Sequence, residues 1–101
     1  MRKKRFRESQ CAKMNMLTLN DAVQLAETRF GLRVTAVGET EDLWVLYLDN
    51  DDESYVTYNK NTGKQGEMWI ADFIDLIEKG KTKVIANGRE NVVKLMLANK
   101  V

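Results

Sequence analysis

The sequence contains no proline and no histidine, and its one cysteine is Cys11. Without proline there is no cis-prolyl turn, and no helix or strand is broken by that residue. Without histidine the commonest general acid/base is missing, together with the Ser-His and Cys-His nucleophile pairs and most transition-metal sites. A lone cysteine cannot close an internal disulfide and fits a reducing compartment. No apolar run approaches the length of a membrane span, and no signal-peptide stretch follows the basic start "MRKKRFRESQCAKMNML". These absences predict a soluble, cytoplasmic protein.

What is present is a chain of 101 residues, 44% hydrophobic and 31% charged, enough for one small domain with a modest core. The net charge of +1 conceals a segregation. Residues 1–15 carry six Lys/Arg against Glu8, and residues 79–101 carry six against Glu90. Between them, residues 39–78 carry eleven Asp/Glu against Lys60 and Lys64.

Residues 1–15 lack apolar periodicity and read as a flexible basic arm. "TLNDA" then predicts a helix start, with Thr18 as N-cap and Asp21 three residues on. Leu19, Ala22, Val23, Ala26 and Phe30 fall on one face of that helix, and Gly31 suits its end. "LRVTAV" alternates as a strand does. "LWVLYL" is apolar on both faces, as a central strand covered on both sides, or on one, would be. "SYVTYN" is a third strand, rich in β-formers and ended by "NKNTGKQG". "EMWIADFIDLIEKG" reads as a second helix, its stripe made of Trp69, Ile70, Phe73, Ile74 and Ile77, with Asp72, Asp75 and Glu78 opposite. "KTKVIA" is a candidate short strand and "GRENVVKLMLANK" a last helix. The expected fold is α+β: a flexible arm over 1–15, then one domain over 16–101. In it, a three-stranded antiparallel meander packs its N-terminal helix and second helix on one face, with a C-terminal helical extension.

No catalytic signature stands out. "NTGKQGE" lacks the spacing of a phosphate loop and reads as a turn. Asp49, Asp51 and Glu53 alternate like calcium ligands, but the loop lacks its central glycine and terminal glutamate. No pair of carboxylates is singled out as an acid and base. Cys11 sits among basic residues, which would lower its pKa, but in a flexible arm of a chain without histidine a spare thiol is expected and not a nucleophile. A non-enzymatic protein with no metal and no cofactor is expected.

The surface is more informative. Glu39, Glu41, Asp42, Asp49, Asp51, Asp52 and Glu53 form an acidic stretch, flanked by Trp44 and Tyr55 as aromatic anchors for a protein partner. Turn chemistry by itself accounts for part of this acid. The opposing candidate is basic. Arg2, Lys3, Lys4, Arg5 and Arg7 of the arm, with Lys79, Lys81, Lys83 and Arg89, would contact phosphates, and Phe6 would stack on a base.

Residues 17–66 carry "TLNDAVQLAETRFG", "LWVLYLDNDDESYVTYN" and "NKNTGK", in an order that resembles the small PepSY-type domain and, more loosely, small immunity-protein-like domains. That resemblance implies a binding or inhibitory module without catalytic residues. The expected function is protein binding by an inhibitor or modulator of phage or mobile-element type, for instance of the anti-CRISPR kind. It would dock its acidic surface on a basic groove of a nucleic-acid-binding enzyme. The alternatives are a nucleic-acid-binding accessory protein and a homo-oligomer seamed by the last helix.

Overall fold

The computed structural model describes residues 16–50 and 54–99. In chain order they form α1 (Leu19–Phe30), β1 (Val34–Thr40), β2 (Leu43–Leu48), β3 (Ser54–Asn59), β4 (Gln65–Trp69), α2 (Ile70–Glu78), β5 (Thr82–Asn87) and α3 (Arg89–Ala98). The fold is α+β. One five-stranded sheet has the order β4-β3-β2-β1-β5, with every neighbouring pair antiparallel.

Helix α1 begins and ends where its sequence says it should. The Thr18 hydroxyl accepts a hydrogen bond from the Asp21 N–H at 3.1 Å. Gly31 takes φ 68 at the other end, a left-handed conformation that favours glycine, and its N–H donates to Glu27 O. Leu19, Ala22, Val23 and Ala26 are buried, whereas Phe30, in the last turn, is exposed.

Strand alternation divides the core between two faces. Val34, Val37, Leu46, Leu48, Tyr58 and Ala86 pack with α1 and with Val92 of α3. Val45 and Gly38, the alternates of Leu46 and Val37, point the other way, and α2 covers that second face through Phe73. Burying a Val, Leu or Phe side chain stabilises by roughly 1.5–3 kcal/mol. The first face buries a whole cluster of such residues, while Phe73 is the buried residue that α2 contributes. Helix α2 is therefore the lightly held layer.

Three expectations are corrected. The meander has four strands, not three, because residues 65–69 form β4 rather than the head of a helix. The turn before it explains why. The Asn59 side-chain oxygen accepts from the Asn61 and Thr62 N–H groups at 2.8 and 3.0 Å, and Gly63 takes φ 74, which sends the chain back along β3. "KTKVIA" does form a strand, and β5 adds a fifth at the far edge of β1. The helices lie on both faces, so "LWVLYL" is apolar on both sides for the first of the two reasons expected of it. Among the described residues, no helix is long and apolar enough to cross a membrane.

Candidate protein-binding surface

Among the described residues, the acids of the hairpin do not come together as one surface. Glu41 and Asp42 are exposed in the β1–β2 turn, and Asp49 is exposed at the opposite end of β2. A six-residue strand separates these ends by about 17 Å. Asp51, Asp52 and Glu53 lie outside the described residues, as do Arg2, Lys3, Lys4, Arg5 and Arg7 of the basic arm and Cys11.

Glu39 and Trp44 are engaged internally. Both lie on the first sheet face, directly paired across β1 and β2. Lys60 is buried beside them. Its Nζ donates to Glu39 Oε2 at 2.7 Å and to Thr40 O at 2.9 Å, and stands 4.4 Å from the centre of the Trp44 ring. The indole N–H donates to Leu17 O at 3.0 Å. This cluster pins the segment before α1 to the sheet end.

Tyr55 is a wedge and not a free anchor. It lies on the second face, edge-on to Tyr47 at 5.4 Å and to Phe73 at 4.9 Å. Burial raises its phenol above the usual value of 10.0, and Tyr47 adds to the shift. Tyr58, on the first face, is raised by burial as well, with Arg29 partly offsetting it.

The basic candidates are split too. Lys79 pairs with Asp75 at 2.9 Å, and Lys81 and Lys83 line a shallow depression with Glu39, Glu41 and Lys60. Arg89 lies beyond the other end of β5. Its guanidinium donates to the Glu27 carboxylate and, at 3.0 Å, to Val34 O, which ties α3 to α1 and β1.

One chain segment does gather apolar and acidic side chains at the surface. Over residues 65–78, β4 runs straight into α2. The segment contains Glu67, Asp72, Asp75 and Glu78 and no Lys or Arg. Trp69, at the junction, is 60% exposed, Ile74 48% and Ile77 39%. With Ile70 and Ala71, Trp69 and Ile74 line an apolar depression. The sequence placed Trp69, Ile74 and Ile77 in a core-facing stripe. The structure buries Phe73 of that stripe; Ile74 and Ile77 stay in water because α2 meets the sheet through Phe73, and Trp69 because it ends the edge strand β4, paired with Ser54. The legible signal was the stripe's width, Ile70, Phe73, Ile74 and Ile77 on a nine-residue helix with Trp69 just before it, more than one face can bury.

Beside β4, on the first face, Phe30, Leu48, Asn50, Ser54, Val56, Gln65, Gly66 and Glu67 line a cleft of about 380 Å³. Ser54 Oγ donates to Glu67 Oε2 there at 3.2 Å, and Arg29 and Tyr58 OH both donate to Gln65 Oε1, at 2.7 and 3.1 Å. The Ser54–Glu67 contact is an exposed diagonal pair between neighbouring strands, and no third group orients it as a nucleophile and base would require. These bonds fasten β4 to β3 and α1.

Comparison of the chain with protein-family models, curated proteins and solved structures finds no match.

Proposed function

We propose that the protein is a non-enzymatic protein-binding module that docks the Gln65–Glu78 segment on a partner. The complementary surface is an apolar groove with a basic rim. The observation that carries this reading is the exposure of Trp69, Ile74 and Ile77 within a segment that holds four acids and no base. A tryptophan and two isoleucines held in water along one short segment are costly to leave bare, and tryptophan is among the residue types that anchor interfaces. The acids favour a basic partner and reject an acidic one. The Asp75–Lys79 pair is exposed on both sides, worth little, and easily exchanged for a partner's cation. Occlusion of a basic nucleic-acid groove, in the manner of an inhibitor encoded by a mobile element, is one form this docking takes. A cytoplasmic setting, favoured by the single cysteine, belongs to the same reading, and the PepSY-type resemblance also favours binding over catalysis.

The test compares three tagged proteins in capture from nuclease-treated host lysate. These are the wild type, D72K/D75K/E78K on α2, and E41K/D42K/D49K on the hairpin turns. All six positions are exposed, so both variants keep the fold. Loss of a captured protein in the α2 variant with retention in the hairpin variant is expected. The reverse pattern would overturn the assignment and return the site to the hairpin. Capture that disappears with nuclease in the wild type would make the target nucleic acid.

A further inference from the structure

Among the described residues the sheet has two edges with no further strand, β4 and β5, and they differ. At β5 the register against β1 slips between Val37 and Gly38, so that Ile85 forms a bulge, and Lys81 and Lys83 stand at the strand's start. Bulges and edge lysines are the usual means of discouraging a further strand. At β4 the register against β3 runs unbroken from Ser54–Trp69 to Tyr58–Gln65. Lys64 precedes β4 as Lys81 precedes β5, but within the strand there is no proline and no lysine, and Gly66 leaves part of its edge without a side chain.

Hydrogen-bond parity shows which groups are on offer. The Asn59 N–H donates to Lys64 O at 2.9 Å, which makes that pair a bonded one. Antiparallel pairs alternate, so Tyr58–Gln65, Val56–Glu67 and Ser54–Trp69 are the non-bonded pairs. The N–H and C=O of Gln65 and Glu67, and the N–H of Trp69, therefore point away from the sheet. Glu67 stands at the centre of this edge, and Trp69 ends it.

We infer that the free edge of β4 accepts an extended, basic segment of the partner as a sixth, antiparallel strand. The inference rests on the docking reading above and names how the partner engages it. Charge selects the occupant. A second copy pairing β4 to β4 symmetrically about its middle would set Glu67 against Glu67, and like charges directly opposite destabilise a strand pair. A Lys or Arg at that position pairs with Glu67 instead. Its side chain shares the face of Glu67 and lies along the cleft that holds Phe30, Leu48 and Val56. Arg29 is already directed at Gln65, at the start of the strand, and the exposed Glu67 carboxylate accepts from the Ser54 hydroxyl at 3.2 Å, a contact that a partner's cation would displace. Main-chain bonds would supply affinity and the alternate side chains specificity.

The probe is the synthetic hexapeptide Lys-Val-Lys-Val-Lys-Val, with Glu-Val-Glu-Val-Glu-Val as control, read by amide hydrogen exchange in NMR at millimolar peptide. The expected result is slowing of the Glu67 and Trp69 amides by about tenfold or more with the basic peptide and not with the acidic one. E67P removes one outward N–H and no main-chain bond to β3, only the exposed Ser54–Glu67 side-chain contact, which E67A removes as well. The melting temperature of E67P should match that of E67A, while the slowing, kept in E67A, is lost. Slowing at β5 instead, no slowing at all, equal slowing in E67P, or a dimer whose interface maps to β4 would each overturn the inference. Partner capture keeps the two proposals apart. An E67P variant that still captures the partner removes the added strand and leaves α2 docking standing. If D72K/D75K/E78K captures normally, the docking reading itself fails.

Discussion

Phe73 stands on Gly38. A methyl group at residue 38 would lie 2.4 Å from Phe73 Cζ and 2.8 Å from Cε1, with Lys83 O 3.3 Å away. Gly38 is not among the glycines with positive φ, so its role is steric, and it makes room for the ring that seats α2. G38A is expected to cost about 1–3 kcal/mol by overpacking. Urea unfolding checks this, and G38A/F73L should recover part of the loss. Additive losses would show that the ring is not what Gly38 accommodates.

The Lys60–Glu39 pair predicts a strongly non-additive cycle. E39A leaves the Lys60 ammonium nearly buried with Thr40 O and the Trp44 face as its remaining partners, and should cost about 2 kcal/mol or more. E39A/K60M removes the stranded charge and should be more stable than E39A. Chemical denaturation of the four proteins gives the coupling directly. A coupling near zero would mean that water solvates the cation.

Glu27 joins three elements, since its Oε2 also accepts from the Val34 N–H at 2.9 Å. E27A and R89A should each destabilise by about 2 kcal/mol. They differ in one readout. Hydrogen exchange at the Val34 amide should accelerate in E27A beyond what global destabilisation accounts for, and in R89A it should follow global stability. Identical behaviour would show that the Val34 bond carries no weight.

The tyrosines predict loss of stability in alkali. Burial raises Tyr55 and Tyr58 above 10.0 in the fold, so the unfolded chain releases its phenolic protons first. Their contribution is complete below pH 10.0 and falls away as pH rises through the folded values. The melting temperature of the wild type should drop more steeply above that pH than that of Y55F. Equal slopes would place the effect on other groups.

The legible parts of this molecule are those written in local chemistry. Thr18, Asp21 and Gly31 define α1 within one stretch of chain, and the alternation of β1 and the apolar run of β2 speak for themselves. Strand β4 was hidden because Gln65, Gly66 and Glu67 have no alternating apolar pattern, and their extended state comes from pairing with β3. The Asn59–Gly63 turn was the available sign, read as an end when it is a reversal. The spread of the hairpin acids was hidden for a related reason. Acid in the hairpin is conspicuous in the sequence, but a strand lies between its two turns. Trp69 reads as the start of a helical stripe but ends the edge strand β4, and how much of the stripe on α2 stays in water depends on how that helix crosses the sheet, which no periodicity records.

That crossing also sets an order of assembly. Strands β1 to β4 pair with their sequence neighbours and can close as successive hairpins, whereas Ala36 waits for Asn87, more than half the chain's length further on. Such distant pairings are the slow ones. On a ribosome, β1 keeps an open edge until the chain has passed β5, and α2 is the tether that limits how far the missing strand can wander. The segment that leaves Trp69 in water is thus also the one that delivers the last strand to a sheet whose other four are already in place.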